Sequence, residues 1–264
     1  MERISSMIKT GWLLDTILFW TIFIVLFIGA FMAKQGKTLK LRELLALEGI
    51  REGVGRAVEM NKPVHFSPGA GTLLTGDWAT QTVAAIGILA YTSRLCAKYG
   101  ARLLVSYPYA EWLPLIEEAY RSGFLLEGKP EMIRPADLQP YLGGYYVFDT
   151  GVMRRLMDER PATVINVGPI IWDSIDIGET AKRIGAIMIG GTARLLQLPY
   201  VVLTSDYVFI GEELYAAGAF TSGDPMQINT VALQDLGKYF VLVMLVLGMI
   251  LLAAGVPIIQ WLSI

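Results

Sequence analysis

Two kinds of apolar patterning divide this chain. Positions 12–32 (WLLDTILFWTIFIVLFIGAFM) and 239–259 (YFVLVMLVLGMILLAAGVPII) are almost uninterrupted apolar runs. As helices, each has the roughly 20 residues needed to cross a hydrocarbon core of about 30 Å. Between them the pattern changes to short apolar runs, rich in β-branched and aromatic residues, each ending in small or polar residues and followed by a helical stretch. Six runs fit: 63–69 (PVHFSPG), 101–108 (ARLLVSYP), 145–151 (YYVFDTG), 162–169 (ATVINVGP), 185–192 (GAIMIGGT) and 200–206 (YVVLTSD). Helices are expected over 78–99, 111–122, 152–159, 172–184 and 209–220, with a short piece at 193–199. Strands that are apolar throughout and alternate with helices predict a parallel sheet covered on both faces. The fold class is therefore α/β, a doubly wound, mostly parallel Rossmann-like sheet flanked by N- and C-terminal transmembrane helices. The segment 124–144 (FLLEGKPEMIRPADLQPYLGG) is irregular and has room for an extra strand or a surface excursion.

The boundaries follow from these patterns. Residues 1–11 form a short outer N-terminus and 12–33 a first span. Leucines at helical spacing among charges over 39–60 predict an amphipathic connector (34–60), interrupted around Gly53 and Gly55. The α/β domain occupies 61–237, a second span 238–259 and an outer tail 260–264. No small-residue cleavage site follows the first run, so it is expected to be a retained anchor and not a signal peptide.

Charge adds a topology. Lys34, Lys37, Lys40 and Arg42 crowd one end of the first span, while only Arg3 and Lys9 precede it. The rule that basic residues stay inside then places the domain in the cytoplasm, in a cell-membrane protein with two spans. The same collar is expected to meet anionic lipid headgroups. Asp15, in the outer part of the first span, reads either as an interfacial residue or as a partner contact. With 54% hydrophobic and 17% charged residues and a mean hydropathy of +0.49, membrane segments and a globular part coexist. A formal net charge of -2 gives no sign of nucleic-acid binding.

Cysteine and histidine use narrows the chemistry. One cysteine, Cys96, and one histidine, His65, exclude a disulfide framework and a zinc site built from several such ligands. Cys96 reads as a small buried core residue.

In open parallel sheets, ligands bind beyond the carboxyl ends of the strands. That rule collects Ser67, Gly69, Gly71 and Thr72 from the first run, Ser106 from the second and Asp149 from the third. Asn166 and Gly168 follow from the fourth, Gly190, Gly191 and Thr192 from the fifth, and Ser205 and Asp206 from the sixth. Small residues let ligand and backbone approach, and free amides at a helix start suit an anion. The loop SPGAGTLLTG has neither G-x-G-x-x-G spacing nor a Walker lysine, so turning the chain explains its glycines as well as a phosphate does.

Asp173, Asp176 and Glu179 follow at i, i+3 steps, a spacing that offers carboxylates to a hard cation or simply an acidic first turn suited to the helix dipole. His65 and Ser67 are two apart on one strand and could pair, but there is no G-x-S-x-G elbow and no second imidazole. Tyr107, Tyr109 and Trp112 are available either to stack on a ring or to cover the sheet edge.

Two stretches, 51–69 (REGVGRAVEMNKPVHFSPG) and 205–225 (SDYVFIGEELYAAGAFTSGDP), resemble an uncharacterised family of membrane-anchored bacterial and archaeal proteins that carries a domain of unknown function. The resemblance implies a membrane protein with an α/β domain and brings no catalytic role to any residue.

The residues favour a membrane-anchored cytoplasmic domain that binds a small anionic ligand or nucleotide as a sensor or regulatory subunit of a membrane assembly. The alternative is a non-catalytic structural subunit of a homo-oligomeric scaffold. A hydrolase or transferase is a third class, limited by the missing nucleophile and metal motifs. The sequence names no cofactor.

Overall fold

Four of the six apolar runs are strands: β1 (Val64–Ser67), β2 (Leu103–Tyr107), β4 (Thr163–Val167) and β5 (Ile187–Thr192). Every residue in them is buried, as a parallel sheet covered on both faces requires. The structure, a computed structural model, describes residues 13–36, 44–72 and 76–255. The Asp15 side chain, Lys37, Lys40, Arg42 and the chain ends expected outside the membrane lie outside the described residues.

The other two expected strands are helices. Run 145–151 opens α5 (Tyr145–Glu159). Gly143 and Gly144, at φ +137° and +90°, turn the chain just before it. Phe148, Val152 and Leu156 then recur every four residues as one buried stripe. Run 200–206 lies mostly in α7 (Leu198–Thr204), where Pro199 sits in the first turn and Val201 and Thr204 are buried three apart. The true outer strands are β3 (Leu138–Pro140), inside the irregular segment, and β6 (Tyr207–Ile210).

The six strands are all parallel in the order β3-β2-β1-β4-β5-β6. Chain direction across the sheet therefore reverses between β1 and β4, whose registers join Ser67 to Asn166. On one face lie α2 (Leu45–Glu59), α3 (Gly76–Tyr99), α4 (Leu113–Leu126) and α8 (Glu213–Ser222). Ile50, Val54, Ile88, Leu89, Ile116 and Leu214 from these helices meet Val64, Phe66, Val105 and Ile165 of the strands. Burying each large aliphatic or aromatic side chain of this core is worth about 1.5–3 kcal/mol. On the other face α5 and α6 (Asp173–Ile184) bury Phe148, Val152, Leu156 and Ile177 against Val164 and Met188.

Helix α2 is continuous, not interrupted at Gly53 and Gly55. Gly53 serves close approach: the Thr163 hydroxyl donates to its carbonyl at 2.8 Å, in the space a Cβ would fill. The part of the expected connector that α2 forms is in this way a layer packed on the sheet.

The chain divides into two compact units, 42–222 and the pair 1–41 with 223–264. In the second, α1 (Leu13–Lys34) packs on α9 (Pro225–Ala253). The Asn229 amide donates to the Gly29 carbonyl at 3.3 Å, and the Leu233 side chain occupies the space a Cβ on Gly29 would take. Asp224 caps α9 by accepting from the Met226 amide at 2.9 Å, with Pro225 as first helical residue. Helix α9, 29 residues, is long and apolar enough to cross a membrane; the apolar part of α1 among the described residues, Leu18–Lys34, is shorter.

Candidate functional site at the carboxyl ends of the strands

The reversal between β1 and β4 is where a doubly wound sheet ordinarily opens a crevice. Here the two loops that should frame it touch. The Ala70 amide donates to the Pro169 carbonyl at 3.1 Å. Gly69, at φ +81°, sits so close that a Cβ would stand 2.9 Å from the Pro169 oxygen, and Gly168, at φ +129°, lies against the Pro68 carbonyl. The Pro169 ring fills the place of a Cβ on Gly71, with Trp78 beside it. Residues 64–71 and 161–170 are buried without exception. The glycines are required for loop against loop, which consumes the space a ligand phosphate would need.

Neighbouring contacts extend the seal. The Gly69 amide donates to the Ser67 hydroxyl at 3.3 Å, so this amide and that of Ala70 are both engaged within the protein. The Thr72 hydroxyl donates to Glu111 at 3.0 Å, tying the loop after β1 to the turn after β2. After β5, the Gln81 carbonyl oxygen of α3 accepts from the Ala193 amide at 3.0 Å and from the Thr192 hydroxyl at 3.3 Å. Arg194 lies over the Trp78 ring at 5.1 Å and donates to the Ile170 carbonyl at 3.1 Å.

The remaining candidates scatter. Gly190 lies within β5, and a Cβ there would meet Val201 and Ser205, so its role is to seat α7. Gly191 gives the same room to Phe209. Ser205 and Asp206 are corrected in position: with β6 beginning at Tyr207, they sit at the amino end of the sheet. Asp206 brackets Met188 there, accepting from its amide through the side chain at 2.8 Å and donating to its carbonyl at 2.8 Å. Asp149 is corrected from strand end to helix α5, where it is buried. Asp173, the first residue of α6, is spent within the protein, accepting from the Ile171 amide of the preceding loop at 2.9 Å and from Asn166 at 3.0 Å, while Asp176 and Glu179 are exposed. Among the described residues no three of His, Cys, Asp and Glu are placed to hold a metal ion.

Two polar groupings lie beneath α5, and neither was anticipated. His65 pairs with Ser106, not Ser67, its Nε2 standing 2.9 Å from the Ser106 hydroxyl. Arg155 reaches the same hydroxyl at 3.1 Å and donates to the carbonyls of Val105 and Asp137, each at 2.7 Å. Burial, reinforced by the Arg155 charge, holds His65 well below the usual imidazole range, so the ring is neutral. Arg102 in turn clasps Asp137 through two nitrogens and reaches Glu159. His65, Ser106, Asp137 and Arg155 are all buried, so this is a network within the core. The second grouping is Asp149 with Asp173 and Asp176 of α6, Asn166 of β4 and Tyr145. Burial first, then Asp176 and Asp173, push Asp149 up to about 7. Burial and the same carboxylates hold the Tyr145 phenol protonated above its usual range. Once 145–159 is read as a helix, Asp149 and Arg155 fall on the stripe of Phe148, Val152 and Leu156, which is the signal that would have found both.

Neither a curated protein nor a solved structure matches the chain. One family model does, over residues 4–262, and the chain therefore belongs to the family defined by that domain of unknown function, DUF6754.

Proposed function

We propose that the chain is a membrane-anchored, non-catalytic structural subunit whose α/β domain associates with further copies of itself. The observation that carries this reading is the seal at the sheet's reversal point, where the hydrogen bond from Ala70 to Pro169 and the loop-on-loop contacts of Gly69 and Gly168 occupy the site of a crevice. A surface for association is present as well. Leu195 and Leu196 (each 80% exposed), in the turn that leads into α7, and Val202 (50%) and Leu203 (74%) on α7 itself are exposed apolar residues of one short segment, and Trp172 and Tyr200 stand with rings 5.8 Å apart. Apolar ground of this kind marks an interaction site more often than a free surface. Strand β6 lies beside it at the sheet's edge, joined only to β5 among the described strands. An edge strand and exposed apolar residues on the neighbouring segment suit a second copy, which brings the same pair in two-fold fashion.

In this reading α9 and the N-terminal apolar run both span the membrane, the domain is cytoplasmic, and Lys34 with Lys37, Lys40 and Arg42 meets anionic headgroups. The strand order favours a second reading, a sensor for a small anionic ligand or nucleotide, because it places a reversal point between two glycine loops. Sedimentation of the full chain in detergent separates the two. The structural reading expects an oligomer that dissociates in the Leu195→Asp/Leu203→Asp variant while its circular dichroism stays that of the folded wild type. A monomeric wild type, stabilised by nucleotides or phosphorylated metabolites, contradicts it and supports the sensor.

A further inference from the structure

A groove of about 920 Å³ runs between α1 and α9, within the roughly 300–1,000 Å³ typical of sites for small organic molecules. The two helices touch at Gly29, where Leu233 and Asn229 close on the bare backbone. The groove lies beside that contact, over positions 18–26 of α1 and 233–245 of α9. By helical rise the α1 wall is about 12 Å long, close to the roughly 15 Å of hydrocarbon in one leaflet.

The lining has an apolar body and one polar end. Leu18, Ile22, Val25, Phe240, Leu242 and Leu245 belong to the body. Among the described residues of the lining Lys238 carries the one charge, and Gln234, four residues before it, shares its helix face. An ammonium and an amide thus stand together where the apolar run 239–259 begins. Tyr239, 69% exposed, follows directly. Lysine and tyrosine at the start of an apolar run mark the level of lipid headgroups.

We propose that this groove holds one acyl chain of an anionic phospholipid, with the phosphate at Lys238 and Gln234. The inference rests on the reading of both apolar helices as membrane spans. The chain covers the apolar wall, and the phosphate meets the positive charge at the cytoplasmic level, as in basic sites between membrane helices. A helix from a second copy fits the groove less well. Helices associate in a bilayer through small residues that let backbones approach, and among the described residues of the lining only Thr21 and Gly237 are small.

Native mass spectrometry of the full chain in detergent, with equal amounts of dioleoyl phosphatidylglycerol and dioleoyl phosphatidylcholine added, reads the site. One phosphatidylglycerol per chain is expected to stay bound, with a preference of about fivefold from one lysine near a headgroup. Lys238→Gln is expected to remove that preference with the basic collar of Lys34, Lys37, Lys40 and Arg42 intact. Gly237→Leu is expected to abolish retention of both lipids, because it adds a side chain to the lining where a Cβ meets nothing within 4 Å. Both variants should keep the circular dichroism of the wild type. Equal retention of the two lipids by the wild type, a preference that survives Lys238→Gln, or retention unmoved by Gly237→Leu overturns the proposal. If Gly237→Leu dissociates an oligomer and leaves lipid retention unchanged, the groove belongs to a second copy instead. Alkaline extraction of membranes separates this failure from that of the anchoring reading. A chain that stays in the membrane but shows no lipid preference removes the lipid site alone, whereas a chain released by alkali removes both.

Discussion

The Ala70 amide donates to the Pro169 carbonyl at 3.1 Å, so backbone joins the loop after β1 to the loop after β4 at the point where the sheet reverses direction. A strand order that ordinarily makes a binding crevice is combined here with loops that close one.

The seal depends on a residue without a side chain. Gly168 is at φ +129° with the Pro68 carbonyl where a Cβ would stand. Gly168→Ala is expected to cost about 2 kcal/mol or more, from a backbone region closed to alanine and a collision with main chain that cannot swing aside. Gly55→Ala is the control. Gly55 is inside α2 with nothing within 4 Å of a built Cβ, and the change should stabilise by about 0.5–1 kcal/mol. Denaturant midpoints of the two variants check the pair.

Arg155 holds the α5 layer to the sheet. Arg155→Met strips donors from the Val105 and Asp137 carbonyls and from Ser106, and is expected to cost about 2–4 kcal/mol because the acceptors stay buried. Arg155→Lys should recover little, since an ammonium cannot span two carbonyls in a guanidinium's fork. Thermal melts of both variants provide the measurement.

His65 predicts an acid-side loss of stability. Its folded-state value is well below its unfolded 6.5, so below that pH the unfolded chain takes up the proton and the folded chain does not. Stability is then fully present above pH 6.5 and declines below it, by up to about 1.4 kcal/mol per pH unit from this group. His65→Gln should remove this part of the profile. Asp149 acts with the opposite sign between the ordinary carboxylate range and about 7, so the difference between variant and wild type, not the raw curve, isolates each group.

How far the sequence revealed this structure varied by element. The core strands were legible because a parallel strand covered on both faces is mainly apolar, as Val64 and Phe66 in β1 and Val164, Ile165 and Val167 in β4 are, with the buried His65, Ser67, Thr163 and Asn166 between them. The same local signal misled at 145–151 and 200–206. Aromatic and β-branched residues there read as strand, yet burial at 148, 152 and 156 and at 201 and 204 follows helical spacing. Strand β3 has three residues in a proline-rich stretch, too short for periodicity to show. The strand-end rule found Ser67, Gly69, Gly71 and Thr72, which the fold does bring to one place, but Asp206 followed its misplaced strand to the wrong end. Closure was not legible, because nothing local to SPGAG records that Pro169 lies upon it.

The most direct test of the closed reversal point is thiol labelling of Ser67→Cys in the full chain. Ser67 is fully buried at the end of β1, and the single native thiol, Cys96, is also fully buried, with burial pushing its ionisation well above the usual thiol range. Under native conditions the account predicts that neither the wild type nor the variant reacts with a maleimide until denaturant unfolds the domain. Labelling of folded Ser67→Cys at the rate of an exposed thiol, with the wild type unlabelled and the melting temperature preserved, would contradict it.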